Sequence, residues 1–407
     1  MSKVSNSIAL KEIISQKISS SPLRRITFAE YMDLVLYHPQ LGYYNSDHLN
    51  IGSQGDFFTS SSLSSDFGEL LSVQGLQMWD ILGKPSSFTW LEMGAGEGFL
   101  ANDILSYLEN QDPNFLAALD YIIVEKSPPL ISKQKTCLQK WLNKGMRISW
   151  KTWSQITDNS LVGCLFSNEL LDAFPVHKLV KKQGIIQEIY VTLNSSNQLA
   201  EINGDLSTNQ IRRYFDLLGI NLLSSDYPDG YQTEVNLLVL DWINKVSRKL
   251  KQGYLLTIDY GYPTHKYYHP QRSQGTLQCY FQHRFHNNPY VNIGEQDITS
   301  HVNFTALEIQ GNLVGLDNLG CTKQALFLMN LGLGDRLSSL SSGKYTIKEL
   351  MTRRDYLHQL INPDGLGGFR VLLQSKGLTN NQKQIILKGF QNFDHLNHSG
   401  FNIFSNS

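Results

Sequence analysis

The stretch WLEMGAGEGFLANDIL, Trp90 to Leu105, sets three glycines, Gly94, Gly96 and Gly98, between a short apolar run and a helical one. Glu92 stands two positions before the first glycine. Strand, glycine turn and helix in this order open an α/β sheet, and ligands in such sheets sit at the carboxyl ends of the strands. The dinucleotide fingerprint needs a glycine where Phe99 stands, and no G-K-[ST] follows to make a phosphate loop. The observed form is E-x-G-x-G-x-G. Glycines in it let the backbone approach a ligand and permit positive φ.

The flanking sequence alternates. FTWLEM predicts a strand, FLANDILSYLEN a helix with Phe99, Leu100, Ile104, Leu105 and Leu108 on its apolar face, and LDYIIVE a second strand ending at Glu125. SPPLISKQKTCLQKWL reads as a helix with prolines at its start, where a missing N–H costs little. MRISW, LVGCLFSNE and GYLLTIDYG add strands, and GFRVLLQSKG (368–377) the last one. Such alternation implies a parallel sheet with helices on both faces. The run 176–202 alternates with period two and predicts antiparallel strands attached to that sheet. Residues 262–350 read as loops and helices, and the tail beyond 377 as loose. The predicted division is 1–84 for N-terminal helices and an active-site loop, 85–377 for the sheet domain with insertions at about 176–253 and 262–350, and 378–407 for a tail.

Composition narrows the function classes. The 407 residues are 41% hydrophobic and 17% charged, and 35 basic against 36 acidic residues leave a net charge of −1. No basic field exists for a nucleic-acid backbone, and Lys178, Lys181 and Lys182 read as a solvated strand. Cys137, Cys164, Cys279 and Cys321 are far apart, with no zinc spacing, so free thiols in a reducing compartment are expected. No apolar run is long enough to span a membrane. The lead lacks a secretory core, contains Glu12 and has no arginine before Arg24. The expected compartment is the cytoplasm, or the mitochondrial matrix for a eukaryotic source.

Glu125 ends the second strand, where a carboxylate can accept both hydroxyls of a ribose. With the glycine turn it points to a nucleoside cofactor, NAD included. The E-x-G-x-G-x-G form resembles motif I of the class I S-adenosylmethionine-dependent methyltransferases. Three further stretches sharpen the choice: 52–71 (GSQGDFFTSSSLSSDFGELL), 166–177 (FSNELLDAFPVH) and 275–304 (GTLQCYFQHRFHNNPYVNIGEQDITSHVNF). With IDYG at 258–261 they closely resemble the MidA family, from about Arg24 to Gly377. Asn303, and Ser61 with Ser62, depart from the family pattern.

The resemblance implies an α/β, Rossmann-like class I methyltransferase sheet with added helical and antiparallel strand insertions. It implies S-adenosyl-L-methionine as cofactor and a protein arginine as acceptor, on a subunit of a respiratory-type NADH dehydrogenase complex. The alternative function is a cofactor-binding assembly factor that holds its partner with little catalysis. A guanidinium is protonated and weakly nucleophilic, so a site must orient its plane and help a proton leave. Glu169 and Asp172, at and beyond the fourth strand, are the expected guanidinium contacts, and His301 the candidate proton acceptor. Glu92, Gly94, Gly96, Gly98, Glu125 and Asn168 are the expected cofactor residues. Asp56, Thr59 and Ser60 are expected in a loop closing over the site. Asp259 and Tyr260 should shape the pocket, and Trp150 or Trp153 could pack on an adenine. His283, His286 and His301 match no trusted ligand set, so no metal is assigned.

Overall fold

The computed structural model describes residues 3–45, 64–282, 284–340 and 346–391. Seven strands make the central sheet: β1 (Phe88–Met93), β2 (Leu119–Val124), β3 (Ile148–Trp150), β4 (Leu161–Asn168), β5 (Leu250–Asp259), β6 (Asp317–Lys323) and β7 (Arg370–Lys376). Their spatial order is β6-β7-β5-β4-β1-β2-β3. The pairs from β5 through β3 are parallel, and β7 runs antiparallel to both β5 and β6. Strand order reverses at β1, so the glycine turn after Met93 opens at the sheet's switch point.

Local chemistry places the helices that frame this edge. Leu100, Ile104, Leu105 and Leu108 are buried in the helix Phe99–Gln111, whereas Phe99 is 41% exposed beside the glycine turn. Ser127 caps the helix Pro128–Cys137, and its prolines occupy the first turn as expected. On one sheet face Trp90, Tyr121 and Phe166 pack with the helices Asp66–Ile81 and Phe99–Gln111. On the other, Leu91, Leu165 and Leu255 pack with the helix Leu238–Lys249.

Four expectations change. The strands of 176–202 are not attached to the central sheet. His177–Lys182, Ile185–Leu193 and Leu199–Gly204 join Gln232–Val235 and Arg25–Thr27 in a separate five-stranded sheet. Their apolar residues are buried elsewhere, Val191 among Leu10, Phe28 and Met32 of the N-terminal helices and Leu179 among Ile211, Tyr214 and Tyr231. Second, β6 lies inside the stretch read as loops and helices. It is an edge strand with one neighbour, and Asn, Gly and Lys in DNLGCTK carry little strand signal. Third, 378–391 are packed: Leu378, Leu387 and Phe390 are buried in the main core, and Phe390 meets the Phe327 ring edge-on at 5.4 Å. Last, Lys181 is buried and donates to the carbonyls of Leu223, Ser224 and Tyr227, so it is no solvated patch. No described helix is long and apolar enough to cross a membrane.

Candidate active site

A cavity of about 580 Å³ lies at the carboxyl ends of β1, β2 and β4. Glu92, Gly94, Gly96, Glu125, Asn168, Glu169 and Asp172 all line it. Sequence segments far apart thus meet where the switch point predicts.

The glycine turn is a cradle that side chains would fill. Gly94 has φ +71°, and a Cβ there would lie 2.9 Å from the Leu170 side chain. Gly98 does not line the cavity. It opens the helix at φ +90°, and a Cβ would press on the Gln134 backbone at 3.3 Å. Gln134 went unnoticed in the sequence, where a mid-helix glutamine carries no signal. It is fully buried, and its amide donates to the Gly96 carbonyl at 2.8 Å and to Glu125 at 3.3 Å. It also accepts from the Trp150 indole at 2.8 Å. Trp150 is therefore engaged behind the turn, and Trp153 is the tryptophan of this pair that lines the cavity.

Burial pushes Glu92 up to about 7, against the hydrogen bond at 2.6 Å from Tyr121 and with help from the Glu125 charge. Glu125 is also raised by burial, while the amides of Lys126 and Ser127 donate to it at 2.7 and 2.9 Å. Burial thus disfavours the charged form of both carboxylates, and a cation or donor placed beside them would favour it.

The other end is assembled over β4 and β5. Glu169 has φ +50°, and Asn168 donates to its carboxylate at 3.0 Å. Asp259 does not line the cavity. Its Oδ2 accepts the amides of Leu170, Leu171 and Asp172 at 3.2, 2.9 and 3.4 Å, so it shapes the turn that presents Asp172. Tyr260 donates to Asp172 at 2.6 Å. Burial raises both Asp172 and Asp259, and in Asp259 the Asp172 charge adds to it. From the N-terminal segment come Tyr37, which donates to the Ala173 carbonyl at 2.8 Å, and Tyr44, which donates to Asp297 at 2.9 Å. The two rings stack at 5.4 Å.

His301 is not among the cavity's lining residues. It stacks on Tyr262 at 5.0 Å and meets Tyr260 edge-on at 5.1 Å, and burial lowers it to about 4. The expected proton acceptor thus stands beside Tyr260, outside the cavity lining, with burial favouring its neutral form. Asn303 caps the helix Phe304–Leu313, away from the cavity lining. Asp56, Thr59 and Ser60 lie outside the described residues, as does His283. Among the described residues no group of His, Cys, Asp and Glu could hold a metal ion.

The residues present fit a cationic nucleoside ligand. Eight carboxylates line the cavity (Asp33, Glu92, Glu97, Glu125, Glu169, Asp172, Asp241 and Asp297) against the lysines Lys126 and Lys245. Lys133, from outside the lining, pairs with Glu97 at 2.8 Å. Lining side chains with buried polar atoms that lack a partner among the described residues include Asn45 Oδ1, Asn168 Oδ1 and the Trp242 indole N–H. Unpaired buried groups of this kind are costly and mark where a ligand would bind.

Comparison with known proteins gives a consistent picture. A family model described as "Putative S-adenosyl-L-methionine-dependent methyltransferase" matches residues 70–322. The chain is 29% identical over 386 residues to the Drosophila melanogaster protein arginine methyltransferase NDUFAF7 homolog, mitochondrial, covering 88% of this chain and 82% of the relative. It is 27% identical over 375 residues to the human protein arginine methyltransferase NDUFAF7, mitochondrial, covering 84% and 78%. A crystal structure from Burkholderia thailandensis, bound to S-adenosyl-homocysteine, is 30% identical and covers 96% of each chain, with a TM-score of 0.84.

Proposed function

This chain belongs to that family of S-adenosyl-L-methionine-dependent methyltransferases, and on that premise we propose that it methylates an arginine side chain of a protein. The observation that carries the reading is one acidic cavity, eight carboxylates to two lysines, reached by both the glycine turn and Glu169–Asp172. A sulfonium cofactor and a guanidinium acceptor are both cations, and both need such a site.

When bound, S-adenosyl-L-methionine supplies an electrophilic methyl group. Gly94 and Gly96 leave room for its amino-acid part, Glu92 takes up its ammonium, and Glu125 accepts its ribose hydroxyls. Glu169 and Asp172 hold the guanidinium plane so that one nitrogen lies in line with the methyl group. The N–CH₃ bond forms as the S–CH₃ bond breaks, and the proton leaving that nitrogen passes to Asp172. A carboxylate raised by burial suits that step, since it accepts a proton more readily than a solvated one. Tyr260 fixes its orientation.

The resemblance stated above supports a subunit of a respiratory-type NADH dehydrogenase as acceptor. The names of the relatives support a mitochondrial location for a eukaryotic source; the cytoplasm is the compartment otherwise.

Calorimetric titration with S-adenosylmethionine, S-adenosylhomocysteine and NADH tests the reading. Saturable binding of the adenosyl compounds alone is expected. Binding of NADH alone would overturn it.

A further inference from the structure

Outside the central sheet, Arg284–His286, Gln278–Phe281 and Asp297–Thr299 form a three-stranded sheet in that order. Its two faces differ. On one, Cys279 and Ile298 are fully buried against the N-terminal helices. Side chains alternate along a strand, so Tyr280 and Asp297 point to the opposite face. The register sets Phe285 directly across from Tyr280, and Tyr280 directly across from Asp297. Residues paired across strands share a face, so these three side chains form one row.

The row runs from the cavity to the surface. At its inner end Asp297 lines the cavity and is held by Tyr44. In the middle, Tyr280 lies within the field of Asp172 and Asp297, whose charges add to burial in raising its hydroxyl to about 12. At the outer end Phe285 is 73% exposed. A scattered exposed phenylalanine is ordinary. This one is joined by strand register to the wall of an acidic cavity.

We propose that the row Asp297–Tyr280–Phe285 is a docking track for the acceptor polypeptide. The target side chain enters past Asp297 while its flanking residues lie across Tyr280 and Phe285. The inference rests on the methyl-acceptor reading above. The occupant is a cationic, arginine-bearing segment, for two reasons. The cavity that the track continues carries eight carboxylates to two lysines. Aromatic faces also attract guanidinium groups.

The test uses the full chain loaded with S-adenosylhomocysteine and two probes. Protamine is an arginine-rich polypeptide long enough to reach the row; N-acetylarginine amide fills the cavity alone. Phe285→Ser should weaken protamine binding roughly fivefold, from loss of an aromatic contact. Phe285→Trp should keep it, and both variants should bind the cofactor product and the small probe like the parent. Protamine binding unchanged by Phe285→Ser overturns the track, as does a parent chain that does not bind protamine. Loss of cofactor affinity in Phe285→Ser would make the row structural and also overturn it. So would sedimentation showing that the substitution dissolves a self-associated parent, because the row would then face a second copy. Failure of the methyl-acceptor reading shows in the parent alone, which would bind neither S-adenosylhomocysteine nor the small probe, and would sink both readings.

Discussion

At the end of the cavity proposed to hold the cofactor, Glu92, Gly94, Gly96 and Glu125 come from two adjacent strand ends within residues 92–125. At the end proposed for the acceptor, Tyr37, Tyr44, Asp172, Tyr260 and Asp297 come from four separate segments spread over 37–297. The first end is a local turn on the sheet. The second forms only when the N-terminal segment and the insertions are seated on it. Cofactor binding should therefore tolerate damage to the insertions, and methyl transfer should not.

The largest effect expected lies at the acceptor end. The double substitution Glu169→Gln, Asp172→Asn should lower the transfer rate about 10²–10⁴-fold, the range for losing a positioned acid or base. Affinity for S-adenosylhomocysteine, measured by calorimetry, should hardly move. A loss of affinity with the rate retained would break the division between the two ends.

Next come the cofactor-end changes, whose effects should appear in affinity. Glu125→Ala removes a charged acceptor and should weaken S-adenosylhomocysteine about 10–100-fold by calorimetry, a loss of roughly 1.5–3 kcal/mol. Gly94→Ala forces a side chain into positive φ and against Leu170. It should cost roughly tenfold in affinity by the same titration, with the fold kept by circular dichroism.

Two smaller effects are pH-dependent. Tyr260 donates to Asp172 and so favours its charged form. Tyr260→Phe should move the acid limb of the transfer rate to higher pH. A limb that stays in place would remove Asp172 as proton acceptor. Glu92 is raised from an ordinary value of about 4.3 to about 7 by burial. In the ligand-free chain the folded state therefore binds the extra proton, and stability falls as pH climbs through that interval. A bound ammonium would ionise Glu92, so S-adenosylhomocysteine binding near pH 6 should release protons. Calorimetry in buffers of different ionisation enthalpy measures that release, and Glu92→Gln should abolish it.

The same contrast explains what the sequence disclosed. β1, the glycine turn and Glu125 were legible because their chemistry is contiguous: a strand run, positive-φ glycines and a strand-end carboxylate. Glu169 and Asp172 were reached through the slot after the fourth strand. Tyr37 and Tyr44 were not, because nothing local marks a tyrosine on an N-terminal helix or turn as part of a cavity wall. Gln134 was missed for the same reason, its partners Gly96, Glu125 and Trp150 lying in three other elements. His301 was singled out because a histidine beside the DITS strand is chemically inviting. Its ring is instead packed between Tyr260 and Tyr262. Edge strand β6 escaped because exposure on one side removes the apolar pattern by which strands are recognised.

The central claim is transfer to arginine, and its most direct test is chemical. An extract from cells lacking the protein is incubated with the purified chain and S-adenosylmethionine carrying a tritiated methyl group, then hydrolysed to amino acids. The account predicts label in methylarginine, present with the parent chain and absent with Glu169→Gln, Asp172→Asn. Label in another amino acid, or no label from a chain that binds S-adenosylhomocysteine, would contradict it.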